Sequence, residues 1–306
     1  HNDQQSFFQA SSPEGALSGW GGRIGDLYQS GNGSATLTCI NTSGNAVFLT
    51  GRQAIQYNVG TGGPVSLLRG ATSLYGSATA AQTLRTLMTE TNPNLFASEY
   101  ARVNKRAMDV QAQLANALAG APESGFSLFP QGNTLADQLR MVARMIAVSG
   151  DIGAKRQVFF VSMGGFDLHD NLAANQPVLL SRVADAMRAF HDTTVALGVA
   201  DKVTTFTGSD FGRTLASNGN GVDHGWGSMH FVMGGAVKGR RFYGNAPAIG
   251  HNTGDDVGQG RLIPTMSVDQ YAATLARWFG VSDGDLTTVL PNIGNYDRSG
   301  WSQGFV

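Results

Sequence analysis

Residues 157–171 read QVFFVSMGGFDLHDN, and this stretch decides the class of fold. Its first seven residues are almost continuously apolar and rich in β-formers, which predicts a strand buried on both faces, as in a parallel sheet. Gly164 and Gly165 then allow a sharp turn into a polar run. Because ligand sites in open α/β sheets lie beyond the carboxyl ends of the strands, the stretch predicts a functional site at the edge of the sheet.

Helices and strands are predicted to alternate on both sides of this stretch. Helical spacing of apolar residues marks residues 98–120, 134–150, 179–199 and 267–280, the last with a capping box formed by Ser267 and Gln270. Short β-like runs mark residues 36–40, 46–50, 202–210, 230–237 and 240–244. The order indicates one α/β domain over residues 1–306, with helices on the faces of a mostly parallel sheet.

The composition excludes several classes of partner. The chain has 306 residues, 21 Lys and Arg against 22 Asp and Glu, and a net charge of −1. Without a basic patch or a run of like charge, no nucleic-acid partner is predicted, and no apolar stretch is long enough to span a membrane. The single cysteine, Cys39, lies in a β-like run and is predicted to be a buried small hydrophobe.

Two strands end in groups that suit metal chemistry. The first is followed by Asp167 and His169, and the second by Asp210 and Arg213. The next loop adds two further polar residues, Asp223 and His224, with His230 a short distance beyond. Carboxylates and imidazoles in this mix suit a divalent cation, and zinc, manganese and calcium all remain open.

The predicted chemistry is hydrolysis of an anionic ester. Arg213 is a candidate to bind a phosphate or sulfate ester through bidentate hydrogen bonds, and with Asp223 it forms the candidate catalytic pair. A cation would polarise the ester. Structural interpretations stay open beside this one: Asp167 or Asp170 can cap the next helix, and Asp210 can be a turn residue that pairs with Arg213. His251, Asp255 and Asp256 fit a loop at least as well as a site.

Four segments together resemble the bacterial domain-of-unknown-function 1501 family: MGGFDLHDN, TGSDFGRT, GVDHGWGSMHFVMGGAVKG and SVDQYAATLARWFGV. That resemblance implies a link to the alkaline phosphatase and sulfatase superfamily, and with it a three-layer α/β/α sandwich and a metal-dependent ester hydrolase. It also implies twin-arginine export, and therefore a periplasmic or secreted location. Carried over residue by residue, the implied metal ligands are Asp167, His169, Asp210 and His224.

The chain departs from the superfamily pattern in two places. Phe211 stands where a histidine usually follows the strand-end aspartate. The first strand of the family, with its metal aspartate, is expected to be missing, because the chain starts HNDQQ; a processed chain or a separate N-terminal fragment would explain this. No nucleophile is assigned, although the polar residues His1, Asn2 and Asp3 are expected near the site.

A second class of function is therefore kept open: a non-catalytic exported binding or assembly protein on the same scaffold. Under the hydrolase hypothesis the expected partner is a small anionic ester or a sulfated or phosphorylated glycan. A third option is a partner chain, in which a separate N-terminal fragment completes the sheet. Whether a second copy of the chain covers the exposed edge of the sheet stays open.

Overall fold

The computed structural model describes residues 2–12, 15–66 and 73–306, so His1 lies outside the described residues, as do the side chains of Asn2 and Asp3. The helices in these ranges are α1 (Asn2–Ala10), α2 (Trp20–Tyr28), α3 (Ala78–Thr89), α4 (Leu95–Ala119), α5 (Thr134–Ala147), α6 (Leu172–Ala196), α7 (Val268–Phe279) and α8 (Leu286–Val289). The strands are β1 (Cys39–Asn41), β2 (Tyr57–Asn58), β3 (Val158–Phe160), β4 (Thr204–Phe206), β5 (Gly212–Ser217), β6 (Val222–Gly225) and β7 (Val232–Gly234).

The parallel sheet has three strands in the order β2–β1–β3. Ile40 of β1 pairs with Tyr57 of β2 and with Phe159 of β3. The strand buried on both faces is the central β1, whereas β3 is only half-buried. The expectation that β3 is fully buried is therefore wrong, because β3 pairs on one side only within the described ranges.

Four strands form antiparallel pairs, β4 with β7 and β5 with β6, so the mixed α/β class is right but the parallel part is small. Parallel neighbours need a long crossover, usually a helix, and the chain between β4 and β7 contains only the β5–β6 hairpin. Two predicted strands do not form. Residues 47–49 make a 3-10 turn packed against α2, and residues 240–244 run as a loop.

Two hydrophobic cores lie on opposite faces of the small parallel sheet. Ile40 and Phe159 belong to a core with α4, α5 and α6. Cys39, Val158 and Phe160 belong to a second core with α2, α7 and α8. Because adjacent residues of a strand point to opposite faces, this alternation places helices on both sides of β1 and β3.

The four predicted helices form, although α6 begins at Leu172, before its predicted start at residue 179, and α7 carries the predicted cap. Ser267 accepts from the backbone of Gln270, whose side chain accepts from the backbone of Ser267, which completes the predicted capping box. Cys39 is fully buried, and burial raises the pKa of its thiol to about 12, so it behaves as the predicted small hydrophobe. Among the described residues, no helix combines the length and apolarity needed to cross a bilayer.

Candidate metal centre

The loop between β3 and α6, called the motif loop here (residues 161–171), carries the first two site residues. Gly165 has a φ of +98°, a left-handed conformation that suits glycine and turns the chain after the strand. Leu168 is buried and anchors the loop, while its neighbours Asp167 and His169 stay exposed. As a result the two polar side chains meet, with the Oδ1 atom of Asp167 3.1 Å from the Nε2 atom of His169.

The β5–β6 hairpin carries the other site residues. Arg213 of β5 lies directly opposite His224 of β6 in the antiparallel register. The hairpin turns at residues 218–221, where the Asn218 side chain accepts from the backbone of Gly221. The motif loop is tied to the same turn, because the Leu172 backbone donates to Asn220 and the Val222 backbone donates to Leu168.

Gly221 explains how the loop and the hairpin come so close. A Cβ atom at this position would lie 2.3 Å from the carbonyl carbon of His169 and 2.5 Å from the carbonyl oxygen of Leu168. Side chains do not approach backbone atoms this closely, so only glycine fits here without moving the motif loop. The sequence shows this glycine only as part of a Gly/Asn-rich loop.

Three ligand-type atoms meet where the loop and the hairpin touch. His224 Nε2 lies 2.7 Å from Asp167 Oδ1 and 3.1 Å from His169 Nε2, and the third side of this triangle is the 3.1 Å between Asp167 and His169. The group is called the ligand triangle here, and it forms a possible metal site. It unites three of the four ligands that were predicted from the sequence.

Each ring nitrogen of His169 lies near one carboxylate. Asp223 Oδ1 lies 3.2 Å from His169 Nδ1, on the opposite side of the ring from Asp167. A proton on Nδ1 would be held by Asp223 and would leave the lone pair of Nε2 directed into the ligand triangle. Asn218 donates to Asp223 Oδ1 and to the backbone oxygen of His169, so it links the hairpin to the motif loop.

Phe211 supports the second imidazole of the triangle. Its ring stacks on His224 with centroids 3.9 Å apart and planes only 8° from parallel. The guanidinium carbon of Arg213 lies 4.8 Å from the centroid of the Phe211 ring. Phe211 therefore acts at this position as a packing partner of a candidate ligand.

Arg213 binds the motif loop. Its guanidinium donates to the carbonyl oxygens of Phe166 and Val222 and to Asp167 Oδ1, the last at 3.0 Å. The sequence-based alternative paired Arg213 with Asp210, whereas its carboxylate partner in the structure is Asp167. Hydrogen bonds from His224 and Arg213 lower the pKa of the Asp167 carboxyl, and those from Asn218 and His169 lower the pKa of Asp223.

Asp210, the fourth predicted ligand, is not part of the ligand triangle. It is exposed just before β5, although surrounding protein displaces enough water to raise its pKa.

Asp170 does not have the helix-capping role that the sequence allowed. It does not cap the first turn of α6; it accepts from the backbone and side chain of Asn171 and from the Asn220 side chain. Asn171 adopts the left-handed conformation there, with φ +51°, so the side chain of Asp170 serves the hairpin turn.

The remaining titratable candidates have structural surroundings. His230 lies between the rings of Phe8 and Tyr271, with centroids 5.4 and 5.9 Å away. Asp256 accepts from the backbones of Asn252, Gly258 and Gly260, which fits the predicted turn. Two residues near the site were not identified from the sequence, Asn218 and Arg261. Arg261 donates to the His224 carbonyl, and only the hairpin register reveals the contacts of both residues.

Comparison with known proteins gives one match. No curated protein and no solved structure matches the chain. The model of the family described as "Protein of unknown function (DUF1501)" matches residues 11–290, and these residues include every side chain of the ligand triangle. The chain is therefore a member of the DUF1501 family.

Proposed function

We propose that this protein is a metal-dependent hydrolase of phosphate or sulfate esters, in which Asp167, His169 and His224 bind one divalent cation. The observation that carries the proposal is the ligand triangle, whose sides are 2.7, 3.1 and 3.1 Å. Metal–ligand bonds of about 2.0–2.2 Å give ligand separations of about 2.8–3.1 Å on an octahedral face and about 3.3–3.6 Å in a tetrahedron. The triangle is close to the octahedral face.

The donor atoms favour a transition metal. Two imidazoles and one carboxylate suit zinc or manganese, whereas calcium prefers six to eight oxygen ligands. Of the three cations that the sequence left open, calcium is thus the poorest fit. Three protein ligands leave coordination positions open, which is typical of a catalytic site, while structural sites are closed by four protein ligands.

A bound cation would supply Lewis-acid polarisation of an ester oxygen and would lower the pKa of a water molecule. The residues of the chain hold the ligands in place for this. Asp223 orients His169, Phe211 packs on His224, and Arg213 fixes the Asp167 carboxylate. The geometry favours positioning roles for Arg213 and Asp223, and a direct contact of Arg213 with the substrate stays a prediction.

The triangle lies at an open surface, which places no upper limit on the size of the substrate. About half of the Asp167 and His169 side-chain surface is exposed, at 49% and 47%. An open site of this kind admits a bulky phosphate or sulfate ester, including a modified glycan, as readily as a small one. We further propose the three-layer sandwich of the alkaline phosphatase superfamily, with export to the periplasm or beyond. The two cores on opposite faces of β1 and β3 support the layered part of this proposal.

A non-catalytic exported binding protein is the second candidate, and two observations favour it. Phe211 supplies packing at the position where the superfamily has a ligand, and Asp210 stands outside the triangle. Metal bound under this alternative would be structural or would recognise a partner directly.

Metal content and ester hydrolysis measured together test the proposal. The full chain, loaded with zinc or manganese, is expected to hydrolyse aryl phosphate or aryl sulfate esters, and a chelator should abolish the activity. Asp167→Ala and His169→Ala should lose metal and activity together, at least a hundredfold. His191→Ala is the matched control, since His191 lies 19 residues beyond Leu172, the first residue of α6, and therefore about 28 Å along the helix from the motif loop. Metal binding without hydrolysis would favour the second candidate, and a chain that binds neither metal would refute the proposed hydrolase.

A further inference from the structure

Helix α4 carries an apolar stripe with heptad spacing. Its residues are separated by alternating steps of four and three, which places them on one face of the helix: Phe96, Tyr100, Val103, Ala107, Val110 and Leu114. Such a stripe is typical of a helix that packs along another helix with its whole length.

Only the C-terminal half of the stripe is covered in the described structure. Val110 and Leu114 are 6% and 0% exposed, and they belong to the core formed with α5 and α6. Phe96, Tyr100 and Val103 are 84%, 62% and 41% exposed. The stripe therefore continues past the core as an apolar surface, called the α4 surface here and formed by Phe96, Tyr100, Val103 and Ala107.

The preceding helix α3 does not cover this surface, because it packs on a neighbouring face of α4. Ala101 is buried, and the Asn104 side chain donates to the carbonyl oxygen of Met88 in α3. At 100° per residue, Ala101 and Asn104 lie to one side of the line through Phe96, Tyr100 and Val103. The α3–α4 hairpin thus presents the α4 surface outward.

We propose that two copies of this chain associate through their α4 surfaces, with the two helices antiparallel. In that arrangement Tyr100 lies opposite Val103 of the second copy, and Phe96 lies opposite Ala107 of the second copy. Each layer then joins a larger side chain to a smaller one, which allows the helices to approach and interdigitate.

Charge argues for a second copy as the occupant and for the antiparallel direction. Glu99 and Arg106 flank the stripe on the same side, one heptad apart, and Glu99 also pairs with Arg102 of its own helix at 2.7 Å. With Tyr100 facing Val103 of the second copy, each Glu99 faces Arg106 of the second copy, so the contact contains this pair twice. In a parallel dimer the facing position would be Asn104, which carries no charge. The self-complementarity of one short segment fits a two-fold dimer.

A charged residue on the far side of α4 provides a control. Lys105 pairs with Asp109 at 2.9 Å on the side of α4 that faces away from the stripe. Lys105→Glu changes the charge of the helix by the same two units as Arg106→Glu, yet it should leave the dimer unchanged.

Sedimentation equilibrium of the full chain is the test, with circular dichroism to verify folding. The wild type should dimerise, Glu99→Arg and Arg106→Glu should each weaken dimerisation at least tenfold, and the double variant should restore it. A chain that stays monomeric, or a dimer insensitive to both reversals, would overturn the proposal.

A cysteine pair provides an independent measurement if a charge variant misfolds. Glu99→Cys with Arg106→Cys should form a disulfide-linked dimer under mild oxidation, while each single variant should not. The two sites are about 10 Å apart within one helix, too far for an internal disulfide. The buried Cys39 thiol is shielded from exchange. Absence of the covalent dimer in the double variant would contradict the antiparallel register.

Discussion

The Nε2 atom of His224 lies 2.7 Å from the Oδ1 atom of Asp167, although 57 residues separate them in the chain. The contact joins two different elements, the loop that leaves the parallel sheet and the antiparallel hairpin beside it. With His169 3.1 Å from both atoms, it forms a triangle that a cation could close.

Asp223→Asn should lower the affinity for zinc about 10- to 100-fold while leaving the fold intact. The amide keeps the size of the side chain but no longer offers a carboxylate to the Nδ1 proton of His169, 3.2 Å away. Zinc titration followed by calorimetry measures the effect. Asp192→Asn, which removes an exposed carboxylate from α6, is the control and should match the wild type. Equal affinity in both variants would show that Asp223 does not orient the ligand.

Phe211→Ala should weaken zinc binding by about 2- to 10-fold, because the face-to-face contact with the His224 ring is lost. The same titration measures it. Phe242→Ala makes the same chemical change at a ring that is 92% exposed, and it should have no effect. If the two variants behave alike, stacking does not hold the imidazole.

Gly221→Ala should destabilise the protein by about 1–3 kcal/mol and should also weaken zinc binding, because the new methyl group meets the backbone of His169. Urea unfolding and zinc titration together measure both effects. Gly164→Ala in the motif loop is the control, since a Cβ atom there contacts nothing within 4 Å. A stable Gly221→Ala protein with full zinc affinity would mean that the close approach of loop and hairpin is not needed.

The stability of the protein should fall as the pH decreases from 7.5 to 5.5, and His230 should contribute to this fall. Burial between aromatic rings lowers the pKa of His230, so the unfolded chain takes up a proton near pH 6.5 that the folded chain does not bind. The free energy of unfolding therefore decreases below the unfolded-state pKa, by at most about 1.4 kcal/mol per pH unit from this group. His230→Gln should show a smaller fall in urea unfolding than the wild type, and an identical slope would contradict this assignment.

Much of the scaffold was predictable because its signals are local. The periodicity of apolar residues predicted α4, α5 and α7, and Ser267 and Gln270 predicted where α7 begins. The order in which strands pair does not depend on local sequence signals. Nothing within residues 157–163 reveals that β1, and not β3, is the central strand, since neighbours in a sheet are chosen by tertiary packing.

The candidate site divides in the same way. Asp167 and His169 share one short loop, so their convergence follows from the motif. His224 joins them because Arg213 and His224 are partners in a hairpin, a register that the sequence did not specify. The packing of Phe211 and the bridging role of Asn218 depend on that register too. The sequence therefore showed Phe211 only as a departure from the superfamily pattern and did not identify Asn218.

A crystal structure of the zinc-loaded protein, with anomalous data at the zinc edge, directly tests whether the ligand triangle binds metal. We expect one anomalous peak about 2.0–2.2 Å from each of Asp167 Oδ1, His169 Nε2 and His224 Nε2, with Asp223 still bonded to His169. If zinc-saturated crystals show no peak within bonding distance of these three atoms, the ligand triangle is not a metal site and the proposed hydrolase mechanism is wrong.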